Sequence, residues 1–287
     1  MAKPKEITVD SIGSFSANIE KLLNASVTRH DGIYNGNWYR GVAQATTHTL
    51  TPTLYRHPSI KKLDELLILE SKMMEDFERN NVLHQDPVVL GQNADGLKTL
   101  FYMQHYGIPT RLLDWTSNPF IALYFALSSA REGTNGFPED AAVWVLDPVQ
   151  WNETSLNIIG HGKAGPLAHS SAVENYGPRQ IFNGKLGPTG ISTLYERPAA
   201  ILGIANSARM FAQRGVFTVF GRDIKPMEAQ FTDEKFPSTS LVKLVIPKDK
   251  ISPLLGMLLR IGYTDSVSYP DLHGLAMEIK RMNGFRV

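Results

Sequence analysis

The 287-residue chain has no cysteine, which removes disulfides, thiolate nucleophiles and thiolate metal sites together. It has no excess of either charge: 29 Lys and Arg against 28 Asp and Glu leave a formal +1. A globally basic nucleic-acid binder is therefore not expected, although a near-neutral chain can still carry a local basic groove. No apolar run is long enough to span a bilayer, and the opening MAKPKEITVD lacks the apolar centre of a secretory signal. The eight histidines form no HExxH and no close pair; the nearest two, His161 and His169, lie in a glycine-rich stretch, so no metal is expected. Gly184-Lys185-Leu186-Gly187-Pro188-Thr189-Gly190 lacks the spacing of a phosphate loop and reads as an ordinary loop, and no serine sits in G-x-S-x-G. What remains is an ordinary globular composition, 43% hydrophobic and 20% charged, expected of a reduced, soluble, cytoplasmic protein with no membrane partner.

The apolar pattern orders the chain. Phe15, Ile19, Leu22 and Leu23 recur at helical spacing, so residues 1–30 read as an N-terminal helical segment. Asn35-Gly36-Asn37 marks a turn before the short apolar run Trp38-Tyr39. Residues 61–82 read as a helix whose broad face carries Leu63, Leu66, Leu67, Met73, Met74 and Phe77. Glu70 falls on the same face, and a carboxylate there needs a partner. Residues 96–106 read as a helix stopped by Gly107 and Pro109, residues 110–115 as a strand, and Pro119 as the first turn of a further helix. AAVWVLD, GVFTVFG and SLVKLVIP read as strands; PKDKISPLLGMLLRIG and the amphipathic PDLHGLAMEIKRM read as helices. From about Pro148 to Ala208 no period emerges, and the stretch reads as irregular and partly loop. No repeat or linker divides the chain, so a single α+β domain is expected.

Polar residues crowd the strand-to-helix junction: His105, Arg111, Asp114, Thr116 and Ser117 all fall within thirteen positions. Each has a structural use. Ser117 or Asn118 can cap the helix, Arg111 and Asp114 can pair to brace the strand, and His105 can cap the preceding helix. A helix start also offers free amides and a favourable dipole to an anion. His105, Arg111 and Asp114 would also supply the acid, base and cation of a metal-independent nuclease. Singly, these residues leave the readings open.

In combination they do more. WYRG at Trp38–Gly41, with QHYGIPTRLLDWTSNPFIALYFA, resembles the FRG-domain family, named for its aromatic-Arg-Gly motif. LTPTLYR, AQRGVF at residues 212–217 and SYPDLHGLA carry that resemblance over residues 31–287. More distantly, the order of Tyr39-Arg40-Gly41, Trp115-Thr116-Ser117 before ALYFA, and Gln213-Arg214-Gly215-Val216-Phe217 is similar to the three-motif order of ADP-ribosyltransferases. That resemblance implies a mixed β core flanked by helices. It also implies a mono-ADP-ribosyltransferase taking NAD as substrate, without metal, and acting on a nucleic-acid base or a protein side chain. The implied setting is a bacterial or phage-related toxin in anti-phage defence, with a possible antitoxin.

Such chemistry needs an oriented ribose and a screened diphosphate, because loss of nicotinamide develops positive charge on the sugar. By the resemblance, Arg40 would hold a ribose hydroxyl or phosphate. Gly41 would let the backbone approach nicotinamide. Thr116 or Ser117 would bond the ribose or hold the third-motif residue, and Arg56 or Arg111 would clamp the diphosphate. Tyr39, His105 and Asp114 complete the expected cofactor-binding set. The third motif departs from the pattern: Gln213 stands where active transferases usually carry Glu, and it supplies no negative charge. Glu70 is the first candidate to replace it, then Asp114, with Glu174 and Glu196 behind; the alternative for Glu70 is a structural pair with Arg56 or Arg111. The expected catalytic set is thus Arg40, Glu70, Thr116, Ser117 and Gln213. The same departure favours a non-catalytic NAD- or nucleotide-sensing or partner-binding module. Tyr176, Arg179, Lys185, Tyr195 and Arg197 would suit single-stranded RNA or DNA, or form a solvated loop.

Overall fold

A computed structural model describes residues 3–29, 36–80, 96–157, 165–168, 174–188, 190–203, 208–233, 236–285 and 287. Asn35 of the expected turn, His161 and His169 lie outside the described residues. The strands are β1 (Lys5–Thr8), β2 (Trp38–Val42), β3 (Leu112–Thr116), β4 (Ala141–Leu146), β5 (Ile181–Phe182), β6 (Lys185–Leu186), β7 (Ala199–Ile201), β8 (Gly215–Val219) and β9 (Leu241–Ile246). The α-helices are α1 (Ile12–Arg29), α2 (Leu63–Asn80), α3 (Gly96–His105), α4 (Pro119–Ser128), α5 (Pro148–Asn157), α6 (Ala208–Ala212), α7 (Met227–Asp233), α8 (Ile251–Arg260), α9 (Asp265–Ser268) and α10 (Leu272–Met282).

Seven strands form one sheet in the order β1-β9-β4-β2-β3-β8-β7. Only β1 and β9 run parallel; the other neighbours are antiparallel. The α+β expectation is borne out as a mixed sheet flanked by helices. Alternation along the central strands supplies both faces. Tyr39, Val143, Val145 and Leu244 pack with Phe15 and Ile19 of α1, Leu123 of α4 and Leu254 of α8. Trp38, Trp144, Leu113 and Trp115 pack on the other face with Leu54, Leu66, Trp151 and Phe231. Helix α4 is buried over most of its surface, which its nearly uninterrupted apolar sequence requires. Among the described residues, no helix is long and apolar enough to cross a membrane.

Several boundaries differ from the sequence reading, and each has a physical reason. Strand β1 was not legible in MAKPKEITVD, because an edge strand of four residues with two charges shows no apolar period. The stretch read as irregular contains α5, a hairpin and β7. Helix α5 is anchored by Trp151, whose Nε1 donates to the Pro198 carbonyl at 2.8 Å. The hairpin β5–β6 turns through Asn183 and Gly184, with φ of 48° and 74°, the geometry that favours Asn-Gly. Lys185 and Leu186 are therefore strand, not the loop expected. The α4 cap is Asn118, whose side chain accepts from the amides of Phe120 and Ile121; Ser117 is exposed. Helix α10 is amphipathic as expected but buries only Gly274, and its stripe Leu272, Leu275, Ile279 and Met282 faces solvent. It is held instead through polar contacts, with Arg281 donating twice to the buried carboxylate of Asp265 and Tyr124 donating to the same group.

Candidate functional site

A cleft of about 710 Å³ opens where β2, β3 and β8 meet the ends of α3, α4 and α6 and the turn before α10. Its floor depends on a close approach. A Cβ on Gly41 would stand 2.0 Å from the Ala122 carbonyl oxygen and 2.6 Å from the Ala126 amide nitrogen. The space that glycine provides is taken by the backbone of α4, and Gly41 also borders the cleft. The Arg-Gly pair thus has two positions, one residue lining the cleft and the next seating a helix.

Arg40 donates from Nη1 to the Asp114 carbonyl oxygen at 2.6 Å and to the Asp114 carboxylate at 2.8 Å. The Arg40 side chain is 19% exposed and that of Asp114 60%, so the carboxylate is presented to solvent while the cation is half sunk behind it. Gln104, in the last turn of α3, donates to the same carboxylate at 3.4 Å and accepts from Thr110 at 2.6 Å. Loss of hydration pushes the Asp114 carboxyl up, but the charge and hydrogen bond of Arg40 outweigh it and hold the group below the ordinary carboxylate range. His105 lies in the wall with its ring 4.9 Å from that of Tyr106. Burial and the charge of Arg209 both lower its pKa, favouring neutral imidazole.

The second and third motifs are tied together by their backbones. Thr116 Oγ1 donates to the Gln213 carbonyl oxygen at 2.5 Å and accepts from the Asn118 amide at 3.0 Å. The Ser117 amide donates to the Arg214 carbonyl at 3.1 Å. Arg214 adopts φ 47°, which turns the chain from α6 into β8. Of the two roles expected for Thr116, holding the third-motif residue is built into the fold. The Gln213 side chain reaches the C-terminal segment, donating from Nε2 to the Ser268 carbonyl at 2.9 Å. Sequence reasoning missed that C-terminal wall. There the Arg209 guanidinium sits 4.7 Å over the Tyr269 ring, and Tyr269 meets Phe125 edge-on at 5.7 Å. Asp271 caps α10 by accepting from the Gly274 amide at 2.8 Å. SYPDLHG carried part of the family resemblance and an N-cap, and neither by itself announces a site.

The structure brings Tyr39, Arg40, Gly41, His105, Asp114, Thr116 and Gln213 to the cleft. It does not bring Glu70, Arg56, Arg111 or Ser117 to its lining. Glu70 and Arg111 form a fully buried pair, with Nε of Arg111 at 3.0 and 2.8 Å from the two carboxylate oxygens. Arg111 spends its remaining donors on the carbonyls of Phe220, Tyr176 and Gly177. This is the structural alternative for Glu70, and it joins α2, β3, the end of β8 and the segment at 176–177. It also separates Arg111 from His105 and Asp114, splitting the trio considered for a nuclease. Arg56 bonds Thr53 at 3.0 Å. Burial and the charge of Arg40 lower its pKa. Glu174 and Glu196 are exposed.

The residues considered for single-stranded nucleic acid are largely engaged within the fold. Tyr176 is buried with its ring 5.1 Å from Tyr195 and its hydroxyl donating to the Arg197 carbonyl. Arg179 donates to Asn175 and Thr193, and burial with the charge of Arg111 lowers its pKa to about 10. Lys185 is exposed. Among the described residues, no three His, Asp or Glu side chains converge as metal ligands.

Comparison with known proteins adds one finding. The family model of the FRG domain matches residues 35–135, which span Arg40, His105, Asp114, Thr116 and all of α4 but neither Gln213 nor the C-terminal wall. The comparisons with curated proteins and with solved structures return no match. The FRG-domain match thus covers the segment that contributes the Arg40–Asp114 side of the cleft.

Proposed function

We propose that the protein is a mono-ADP-ribosyltransferase that draws ADP-ribose from NAD. The observation that carries this reading is the convergence of Arg40, Thr116 and Gln213, distant in sequence, at one cleft built on the adjacent strands β2, β3 and β8. The cleft volume falls in the range of small-molecule sites, about 300–1,000 Å³. In the reaction, the bond between nicotinamide nitrogen and the ribose carbon breaks, and its electron pair leaves with nicotinamide. An acceptor nucleophile then bonds that carbon and loses a proton. Arg40 meets a ribose hydroxyl or a phosphate oxygen. Thr116 fixes the corner that carries Gln213. Asp114, anionic and exposed beside Arg40, offsets positive charge on the ribose in place of the missing third-motif Glu. Glu70 is withdrawn from that role because its charge is committed to Arg111.

The acceptor is a nucleic-acid base or a protein side chain, and the setting that goes with the reading is a toxin in anti-phage defence held by an antitoxin. A second reading, a nucleotide-sensing module without turnover, is favoured by one observation: the Gln213 amide nitrogen already donates to the Ser268 carbonyl within the fold. Incubation with NAD labelled in the adenylate half, together with RNA, DNA or cell lysate, separates the two. Transfer of label to one acceptor class supports the transferase. Saturable NAD binding with neither label transfer nor free nicotinamide supports the sensor.

A further inference from the structure

The sequence offered three arginines for a phosphate contact, the structure adds Arg209, and the four are engaged unequally. Arg111 is buried and bonded to Glu70 and three carbonyls. Arg40 is already paired with Asp114. Arg56 stands outside the cleft lining and bonds Thr53. Arg209 alone of the four lines the cleft without an anion: among the described residues, no carboxylate lies within ion-pair distance of its guanidinium. Its plane is supported by the Tyr269 ring at 4.7 Å, and Tyr269 is in turn braced by Phe125. A guanidinium stacked on an aromatic face keeps its N–H edges available while losing little freedom on binding.

We propose that Arg209 receives the diphosphate of a dinucleotide bound in the cleft, a role the sequence assigned to Arg56 or Arg111. The assignment rests on the NAD reading above for the identity of the ligand, but the anion site itself does not. Arg209 belongs to α6, whose C-terminal end leads directly to Gln213 and β8. A diphosphate held there would lie between the Arg40–Asp114 pair on one wall and Tyr269 on the other. Burial and the charge of Arg209 lower the pKa of His105 in the same wall, so its neutral form is favoured. Asp271 accepts from the Gly274 amide through one oxygen and, among the described residues, makes no ion pair with Arg209.

The test is calorimetric titration of full-length protein with NAD, with ADP-ribose and with inorganic pyrophosphate, on wild type, Arg209→Met, Arg209→Lys and the exposed control Lys62→Ala. Met keeps the apolar stem against Tyr269 and removes the charge; thermal unfolding checks that the variant folds. Loss of charge-assisted hydrogen bonds is expected to weaken all three ligands about tenfold to a hundredfold in Arg209→Met. Arg209→Lys should fall between, because an ammonium lacks the fork, and Lys62→Ala should match wild type. Equal affinities in Arg209→Met and wild type would overturn the assignment even if nicotinamide is released. Arg209-dependent pyrophosphate binding in a protein that releases no nicotinamide would uphold the anion site and sink the transferase reading. Arg209-dependent binding of a short oligonucleotide, with NAD unaffected, would also overturn it, by making the residue an acceptor contact.

Discussion

Replacing Glu70 by Gln discriminates sharply between a cleft residue and a core residue. The substitution keeps the shape of the side chain and removes only its charge, leaving the wholly buried Arg111 guanidinium with three carbonyl acceptors and no anion. Breaking a buried pair on one side costs about 3–5 kcal/mol. The amide oxygen of Gln can still accept from Arg111 Nε, so the lower end is expected. That corresponds to a fall in melting temperature on the order of 6–12 °C for a chain of this size. Glu70→Asp, which keeps the charge but withdraws it by one methylene, should lie between. The assay is urea unfolding followed by tryptophan fluorescence, since Trp38, Trp115, Trp144 and Trp151 are all in the core. At a temperature well below the variant's transition, nicotinamide release per folded molecule should remain close to wild type. Stability within about 0.5 kcal/mol of wild type, with release abolished, would refute the placement and return Glu70 to the catalytic set.

Gly41→Ala should destabilise by about 3 kcal/mol, the upper part of the overpacking range, because the new methyl meets helix backbone and not a movable side chain; a variant as stable as wild type in the same urea assay would contradict this. Thr116→Val removes the bonds to the Gln213 carbonyl and the Asn118 amide and should cost about 1–3 kcal/mol. It should also reduce nicotinamide release, while Thr116→Ser restores both. Acid unfolding should report Asp265: its burial raises the carboxyl pKa, but bonds from Arg281 and Tyr124 outweigh that and lower it. A depressed folded-state pKa gives stability that is present above the unfolded value, near pH 4, and fades as pH falls below it. Asp265→Asn should therefore be less stable than wild type at pH 7, with the difference shrinking as the pH falls from about 4 toward 2.

The parts of the fold legible in the sequence were those where one periodicity extends far enough to speak. Helices α1, α2 and α4 declared themselves through apolar stripes, and β4, β8 and β9 through runs too hydrophobic for the surface. Strand β1 did not, because its stability comes from register with β9, a partner more than two hundred positions away. Helix α5 was hidden because it anchors through Trp151 and Asn152 to the strand β7 region, a polar and aromatic attachment with little period. At the site, residue types were readable and allegiances were not. Glu70 was rightly flagged as a carboxylate needing a partner, but only the packing of α2 against β3 makes that partner Arg111. Arg209, Tyr269 and Asp271 come from separate elements whose convergence depends on how α9 and α10 dock, and no local spacing encodes that.

The central claim is that Arg40 serves an NAD-cleaving cleft. The most direct measurement is the rate of nicotinamide release from NAD by wild type and by Arg40→Ala, each shown to be folded. The account expects release by wild type and a loss of about a hundredfold or more in the variant, the scale of removing one electrostatic contact at a reacting centre. Equal release by the two proteins, or none by wild type in the presence of RNA, DNA and lysate, would contradict it.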